Sequence, residues 1–315
     1  MKKWAIRAAL LCSCFMLTGC GAASYDGVPS DEPFVATVNQ LEPSITFFNE
    51  RFDVLTEWAL DEPYTGATLL HDDMIALYGM GVPYVAIYEL ASGKQIEKIN
   101  TELGNTNVLY SATHDELYVT NKEQNTIIAY TRDGSERAVA NVGKYPMSMQ
   151  RFGNELYVLN FKSSYLSVIN IDTFDEIATW NIPSSSNGLL INKEQQELWI
   201  GGHGEHTTNE HVLVLDLQTG DVVKEIAAPE MPVALAQSAD EISVISHGSN
   251  VLHQFTKQGD KIREIEIGAN PFAVAYFQQT IVTAGYDDNT LYVMDDAQIT
   301  AYETGDGPFQ LIVRE

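Results

Sequence analysis

A period of about forty residues runs through this chain, and a repeat of that length restricts it to stacked arrays, solenoids or closed rings of small units. Seven segments align. They open at Phe34, Met74, Glu116, Glu155, Glu197, Glu241 and Thr280, at spacings of 40, 42, 39, 42, 44 and 39 residues. Each starts with a β-branched or aromatic run, such as Glu116-Leu117-Tyr118-Val119-Thr120-Asn121 or Glu155-Leu156-Tyr157-Val158-Leu159-Asn160. A polar turn follows (Lys122-Glu123-Gln124-Asn125), then a second run (Thr126-Ile127-Ile128-Ala129-Tyr130) and a turn such as Asp133-Gly134. A third run alternates apolar and polar residues, as in Ile262-Arg263-Glu264-Ile265-Glu266-Ile267. Runs of this kind bounded by turn residues read as strands. A fourth run begins after a Gly- or Pro-marked bend, at 143–146, 228–232, 268–271 and 305–308, and is rich in small residues (Pro232-Val233-Ala234-Leu235-Ala236). Small side chains suit strands crowded toward a common axis, so this strand is expected innermost.

Four strands per unit is the pattern of a β-propeller blade. The chain ends agree with it. The last segment stops after an inner-type strand, Pro308-Phe309-Gln310-Leu311-Ile312-Val313, whereas the first starts at Phe34 and lacks one. Together they make one blade and close the ring, which removes exposed sheet edges. The expectation is an all-β, seven-bladed propeller over residues 34–315, with a six- or eight-bladed ring or an open solenoid as the alternatives. Tyr118-Val119-Thr120-Asn121, flanked by Glu116-Leu117 and Asn125-Thr126-Ile127, resembles the YVTN repeat of bacterial and archaeal surface β-propellers. The resemblance implies a propeller and does not imply an activity. The Tyr, Val and Asn of that motif are expected to pack the blade.

The first residues read as an address. Lys2, Lys3 and Arg7 precede an uncharged, mostly apolar run over 8–17, which is the plan of a secretory signal and too short to span a bilayer. Leu17-Thr18-Gly19-Cys20 resembles a bacterial lipobox, and the resemblance implies cleavage before Cys20 and a lipid on its sulfur. An ordinary signal peptide with an incidental Cys is the alternative. The three Cys lie at 12, 14 and 20, so the rest of the chain has no disulfide to draw on. Residues 1–19 are therefore expected as a lipoprotein signal peptide, and 20–33 as the lipidated Cys plus a polar, flexible tether. That placement implies a cell envelope location, on the outer face of the cytoplasmic membrane or facing a periplasm.

Charge narrows the partners. With 18 Lys plus Arg against 43 Asp plus Glu the net charge is −25, which repels phosphate backbones and argues against a nucleic-acid partner. No Gly-rich phosphate loop, nucleophile elbow or Cys pair occurs. His203, His206 and His211 share the longest inter-strand loop with Glu205 and Glu210, and imidazoles in that number are candidate ligands for Zn or Cu. Their spacing matches no helical metal motif, and solvated histidines are the plain alternative. Equivalent turns of neighbouring blades share a face, which brings His247 of the sixth repeat toward that loop. Asp287-Asp288-Asn289 is a candidate for Ca or simply a turn. Asp216-Leu217-Gln218-Thr219-Gly220 is similar to turns of quinone-binding propellers but lacks the Trp expected after it, and suits an ordinary hairpin.

The bends leading into the inner strands should ring one mouth of the axial channel. They offer Asn105, Asn107 and Tyr145, then Ser186, Asn187, Asn270 and Asp306, as candidate ligand-face residues. The leading expectation is an extracytoplasmic, lipid-anchored binding or scaffold module whose propeller face engages a protein, peptide or envelope component. The competing one is a lactonase-like or metal-assisted hydrolase at the channel mouth, and a third is a surface protein whose acidity serves solubility. Fold alone does not choose among them.

Overall fold

A computed structural model describes residues 24–71, 73–295 and 298–315. The strands, numbered in chain order, form seven four-stranded antiparallel sheets arranged as blades of a closed propeller. The innermost strands are β4 (Gly66–His71), β8 (Asn105–Ser111), β12 (Pro146–Phe152), β16 (Ser186–Asn192), β20 (Pro232–Gln237), β24 (Pro271–Phe277) and β28 (Pro308–Arg314). Each touches the next around the axis, and β28 touches β4. The seven runs that set the repeat phase are the second strands, from β1 (Phe34–Asn39) through β9 (Glu116–Asn121) and β17 (Glu197–Gly202) to β25 (Thr280–Gly285). The inner strands start on what we call the upper face and end on the lower one.

Burial follows from stacking blade on blade. Second strands have a neighbouring blade on both faces, so β1, β9 and β17 are buried at every residue. Outer strands see solvent on one face and alternate, as in β7 (Lys94–Asn100). The Tyr-Val-Thr-Asn run of the third repeat is buried throughout, and Asn121 accepts from the amides of Glu123 and Gln124 to close the upper hairpin. The packing role expected of those residues is the one they have.

The ring closes where β28 pairs antiparallel with β1, in register Val35↔Val313, Ala36↔Ile312 and Thr37↔Leu311. Between blades no ladder joins the inner strands, and glutamine amides bridge the gap instead. Gln310 accepts from the Ala67 amide and donates to the Ala67 carbonyl, both at 2.9 Å. Gln150 does the same across Leu189 and Ile191, at 2.7 and 3.1 Å, and Gln237 donates to Ile191. Such primary amides match a peptide group donor for acceptor.

Residues 24–33, expected as a tether, are a strap docked on the ring, so the tether reading is corrected over that stretch. Tyr25 stacks on Trp58 of blade one at 4.8 Å and meets Tyr88 of blade two at 5.3 Å. Its amide donates to Gly93, the Val28 amide donates to Leu90, and Trp58 Nε1 donates to Asp26. Gly93, at φ 64°, has no room for a Cβ because the Tyr25 carbonyl lies against it. The guanidinium of Arg314 donates to the carbonyls of Pro29 and Glu32. The strap thus fastens the lower rim where the ring closes. The leader and Cys20 lie outside the described residues, and no helix among those described is long and apolar enough to cross a membrane.

His253, on β22 (Val251–Thr256), is 1% exposed and neither ring nitrogen has a hydrogen-bond partner. Burial, and then the nearby Lys261 ammonium, hold its pKa below the ordinary value, with Glu264 opposing. The unfolded chain therefore takes up a proton near pH 6.5 that the folded one resists, so this contribution is complete above that pH and is lost as pH falls. Thermal unfolding of a His253→Leu variant should accordingly show a smaller drop in midpoint between neutral and mildly acidic buffer than the parent chain.

Candidate functional site

One bend recurs ahead of the inner strands. Gly104, Tyr145, Ser185, Met231, Asn270 and Gly307 all have positive φ, between 53° and 102°, and each stands one residue before an inner strand. The carbonyl of each accepts from the amide of the residue just after its blade's second strand: Lys122, Phe161, His203, His247, Tyr286 and Gln40, at 2.9 to 3.3 Å. In the same six blades the pairing register slips by one residue immediately after the bend. A bulge of this kind re-aims the extra side chain. The extra residues are Thr106, Met147, Asn187, Val233, Phe272 and Phe309, and all six line a cavity of about 280 Å³ at the upper end of the axis. Blade two has no bulge there. Tyr78 fills its sector against Gly66, with its hydroxyl buried and pushed up to about 12.

Rings form a continuous arc around that mouth. Tyr145 meets Phe161 at 5.8 Å, Phe161 meets His203 at 6.0 Å, and His203 meets His247 at 5.2 Å. The arc continues from His247 to Phe272 at 4.7 Å and from Phe272 to Phe309 at 5.1 Å, with Tyr286 edge-on to both phenylalanines. The rings are partly exposed. His247 Nδ1 shares a 2.7 Å hydrogen bond with Asn270 Oδ1, and the Asn270 amide donates to Asp287. Burial, and then the neighbouring His247, lower the pKa of His203, whose Nδ1 has no partner. Partly exposed aromatic faces and one fixed imidazole equip the mouth to hold a flat or apolar group.

The candidate residues divide. Asn107 and Asn187 line the cavity, while Tyr145 and Asn270 are bend residues on its rim. Asn105 is fully buried and donates to Val82 and Thr101, and buried Ser186 donates to Pro183, so both are structural. Asp306 is exposed and accepts from Asn289. Only His203 of the histidine loop joins the mouth, through His247. His206 and His211 are exposed and take no part in the arc, and among the described residues no three His, Cys, Asp or Glu side chains assemble as metal ligands. Asp288 accepts from Tyr292 and Ala269 and so serves the turn. The lower end of the axis holds a second cavity of about 530 Å³, where Arg151 donates to Ser111 and Gly153 and Lys193 also contributes to the lining.

Tyr145, His203 and His247 are among the sequence candidates, but the continuous arc they belong to is not, although its signal was present. Phe161, His203, His247 and Tyr286 occupy one column of the repeat, the position just after the second strand. Two members of that column, His203 and His247, stand out in the sequence as histidines, and the expected approach of His247 to the fifth-repeat loop is seen at 5.2 Å, but Phe161 and Tyr286 were passed over.

No protein-family model and no curated protein matches the sequence. Solved structures do. Virginiamycin B lyase from Staphylococcus aureus aligns with a TM-score of 0.65 at 15% identity, over 78% of this chain and 88% of that one. BamB from Moraxella catarrhalis aligns at 0.62 and 12% identity, over 91% and 87%. A protein of unknown function from Desulfotomaculum acetoxidans aligns at 0.75 and 9% identity, over 89% and 98%. Likeness at such identities establishes the propeller fold alone.

Proposed function

We propose that this protein is an extracytoplasmic binding module, held at the membrane by a lipid on Cys20, with the upper mouth as its binding face. The observation that carries the reading is the six-fold recurrence of one bulge that turns a side chain into the same cavity, rimmed by an unbroken arc of rings. Six blades maintain a geometry that a packed ring does not require, since blade two closes without it.

The strap supports the orientation. Ser24 bridges to Lys94 at the start of β7, on the lower rim. Three residues separate it from Cys20, so the four steps between them reach at most about 14 Å in extended chain. A lipid at Cys20 thus keeps the lower face toward the bilayer and the upper mouth toward its ligand. The acidic body is repelled by anionic headgroups, which favours standing off the surface. The lyase among the similar structures and BamB show that this fold serves different ends, so the reading rests on the mouth.

Two measurements test it. Intact mass of chain recovered from host membranes should show a diacylglycerol-modified N-terminal Cys20, and Cys20→Ala should move the protein out of the membrane fraction. Capture from envelope extracts should enrich a defined partner or small molecule that a Phe272→Ala/Phe309→Ala chain loses by about tenfold or more. Undiminished capture by that variant, at unchanged thermal stability, excludes the mouth.

A further inference from the structure

We infer that the ligand of the upper mouth is a flat aromatic or conjugated compound bearing an acidic group, with the acid received by Lys122, Lys144 and Lys162. This rests on the reading of the mouth as the binding face. Its support is the distribution of cations. The connections on the upper face contain three Lys or Arg residues: two flank the Tyr145 ring at one end of the arc, and the third precedes Tyr145 in sequence. The Lys122 and Lys162 ammonium groups lie 5.1 and 4.9 Å from the centroid of the Tyr145 ring. Lys144 is the residue before Tyr145, and its side chain lines a shallow cavity of about 340 Å³ together with Lys162.

The other cations of the body lie on the lower turns, on the outer strands or at the lower ends of inner strands, as Arg151 of β12 and Arg314 of β28 do, and several are in ion pairs: Arg137 with Glu116, Lys224 with Glu197, Lys257 with Glu194. On the upper face Lys122 lies 3.6 Å from exposed Glu123, and Glu205 borders the cavity of Lys144 and Lys162 while accepting from Ser184 at 2.5 Å. Three lysines are gathered in one sector of the upper face, in a chain of net charge −25. An anion is thus repelled by most of the molecule and steered to one place.

Tyr145 joins the two halves of the site. Its positive φ of 59° is uncommon for a bulky residue and puts the ring between the lysines and Phe161. An acidic group at the lysines leaves its attached ring system directed along Phe161, His203 and His247 toward Phe272 and Phe309. Stacking supplies contact without sequence-like specificity, and the ammonium groups select charge.

Fluorescence anisotropy with three matched probes tests the inference on the Cys20→Ala chain: pyrene-1-carboxylate, 1-pyrenemethanol and 1-pyrenemethylammonium. The carboxylate should bind about tenfold more tightly than the alcohol at low salt and lose that advantage in molar salt, with the ammonium weakest. Lys144→Gln/Lys162→Gln should weaken the carboxylate alone, whereas Phe272→Ala/Phe309→Ala should weaken carboxylate and alcohol alike. Equal binding of all three probes, or no binding, overturns the ligand class. Lysine-dependent flotation of the chain with phosphatidylglycerol vesicles, without a pyrene preference, overturns it in favour of a lipid surface. If envelope capture still depends on Phe272 and Phe309 in either case, the mouth stands and only the ligand class falls.

Discussion

Removal of Pro308–Glu315 is expected to abolish the cooperative fold. The deletion strips β1 of its inner partner and exposes Phe34, Val35, Ala36 and Val38, all fully buried in the ring. It also deletes the Gln310 bridge to blade two and the Arg314 grip on the strap. Burial of such side chains contributes roughly 1.5–3 kcal/mol each, so the loss is on the order of 10 kcal/mol and rivals the whole stability of an ordinary domain. Circular dichroism during urea titration should show a broad, early transition in place of a single steep one. A synthetic peptide of residues 305–315, added in excess, should restore the steep transition. Truncated chain that unfolds like the parent would falsify the closure.

Arg137→Met should be the most damaging single substitution among the ion pairs. Glu116, at the start of β9, is buried, and the guanidinium of Arg137 on β11 (Glu136–Asn141) neutralises it while donating to the Ile171 carbonyl of the next blade at 3.2 Å. The same guanidinium lies over the Phe174 ring at 5.1 Å. Removing it strands a carboxylate between blades, at a cost of about 3 kcal/mol, at the lower end of the range for buried pairs because Arg137 itself is partly exposed. Urea midpoints should fall accordingly. Pairing the change with Glu116→Gln should recover a large part of the loss, because a neutral amide leaves no unpaired charge behind. The same device recurs in the fifth repeat, where Lys224 lies 2.7 Å from Glu197. Equal unfolding of single and double variants would show that packing of the arginine stem, rather than charge, sets the cost.

The repeat phase, the four strands per unit and the shared blade at the ring closure were all legible in the residues. Each is written as a local pattern: β-branched runs, turn residues and a missing inner strand in the first segment. The binding mouth was legible in part. Polar bend residues were expected at the channel, and Asn107 and Asn187 line it, but Asn105 and Ser186 spend their hydrogen bonds inside the blade. Hydrogen bonding of that kind depends on which backbone groups the neighbouring turns leave unpaired, and no single strand records it. The strap was missed for a related reason. Gly-, Pro- and Asp-rich sequence suits a tether in isolation, and only the groove between Trp58 and Tyr88 gives Tyr25 somewhere to dock.

What the sequence determined by itself is the architecture, because a blade's alternation and turns are fixed within forty residues and closure needs only that the two ends be complementary. The tertiary structure alone decided which side chains meet. A slip of one residue at the head of six inner strands points Phe272 and Phe309 into the mouth. The circular arrangement then brings the same repeat column from consecutive blades into ring contact at 5 to 6 Å. Residues some forty positions apart become neighbours only when the wheel has closed, and it is that proximity, rather than any local motif, that makes a site.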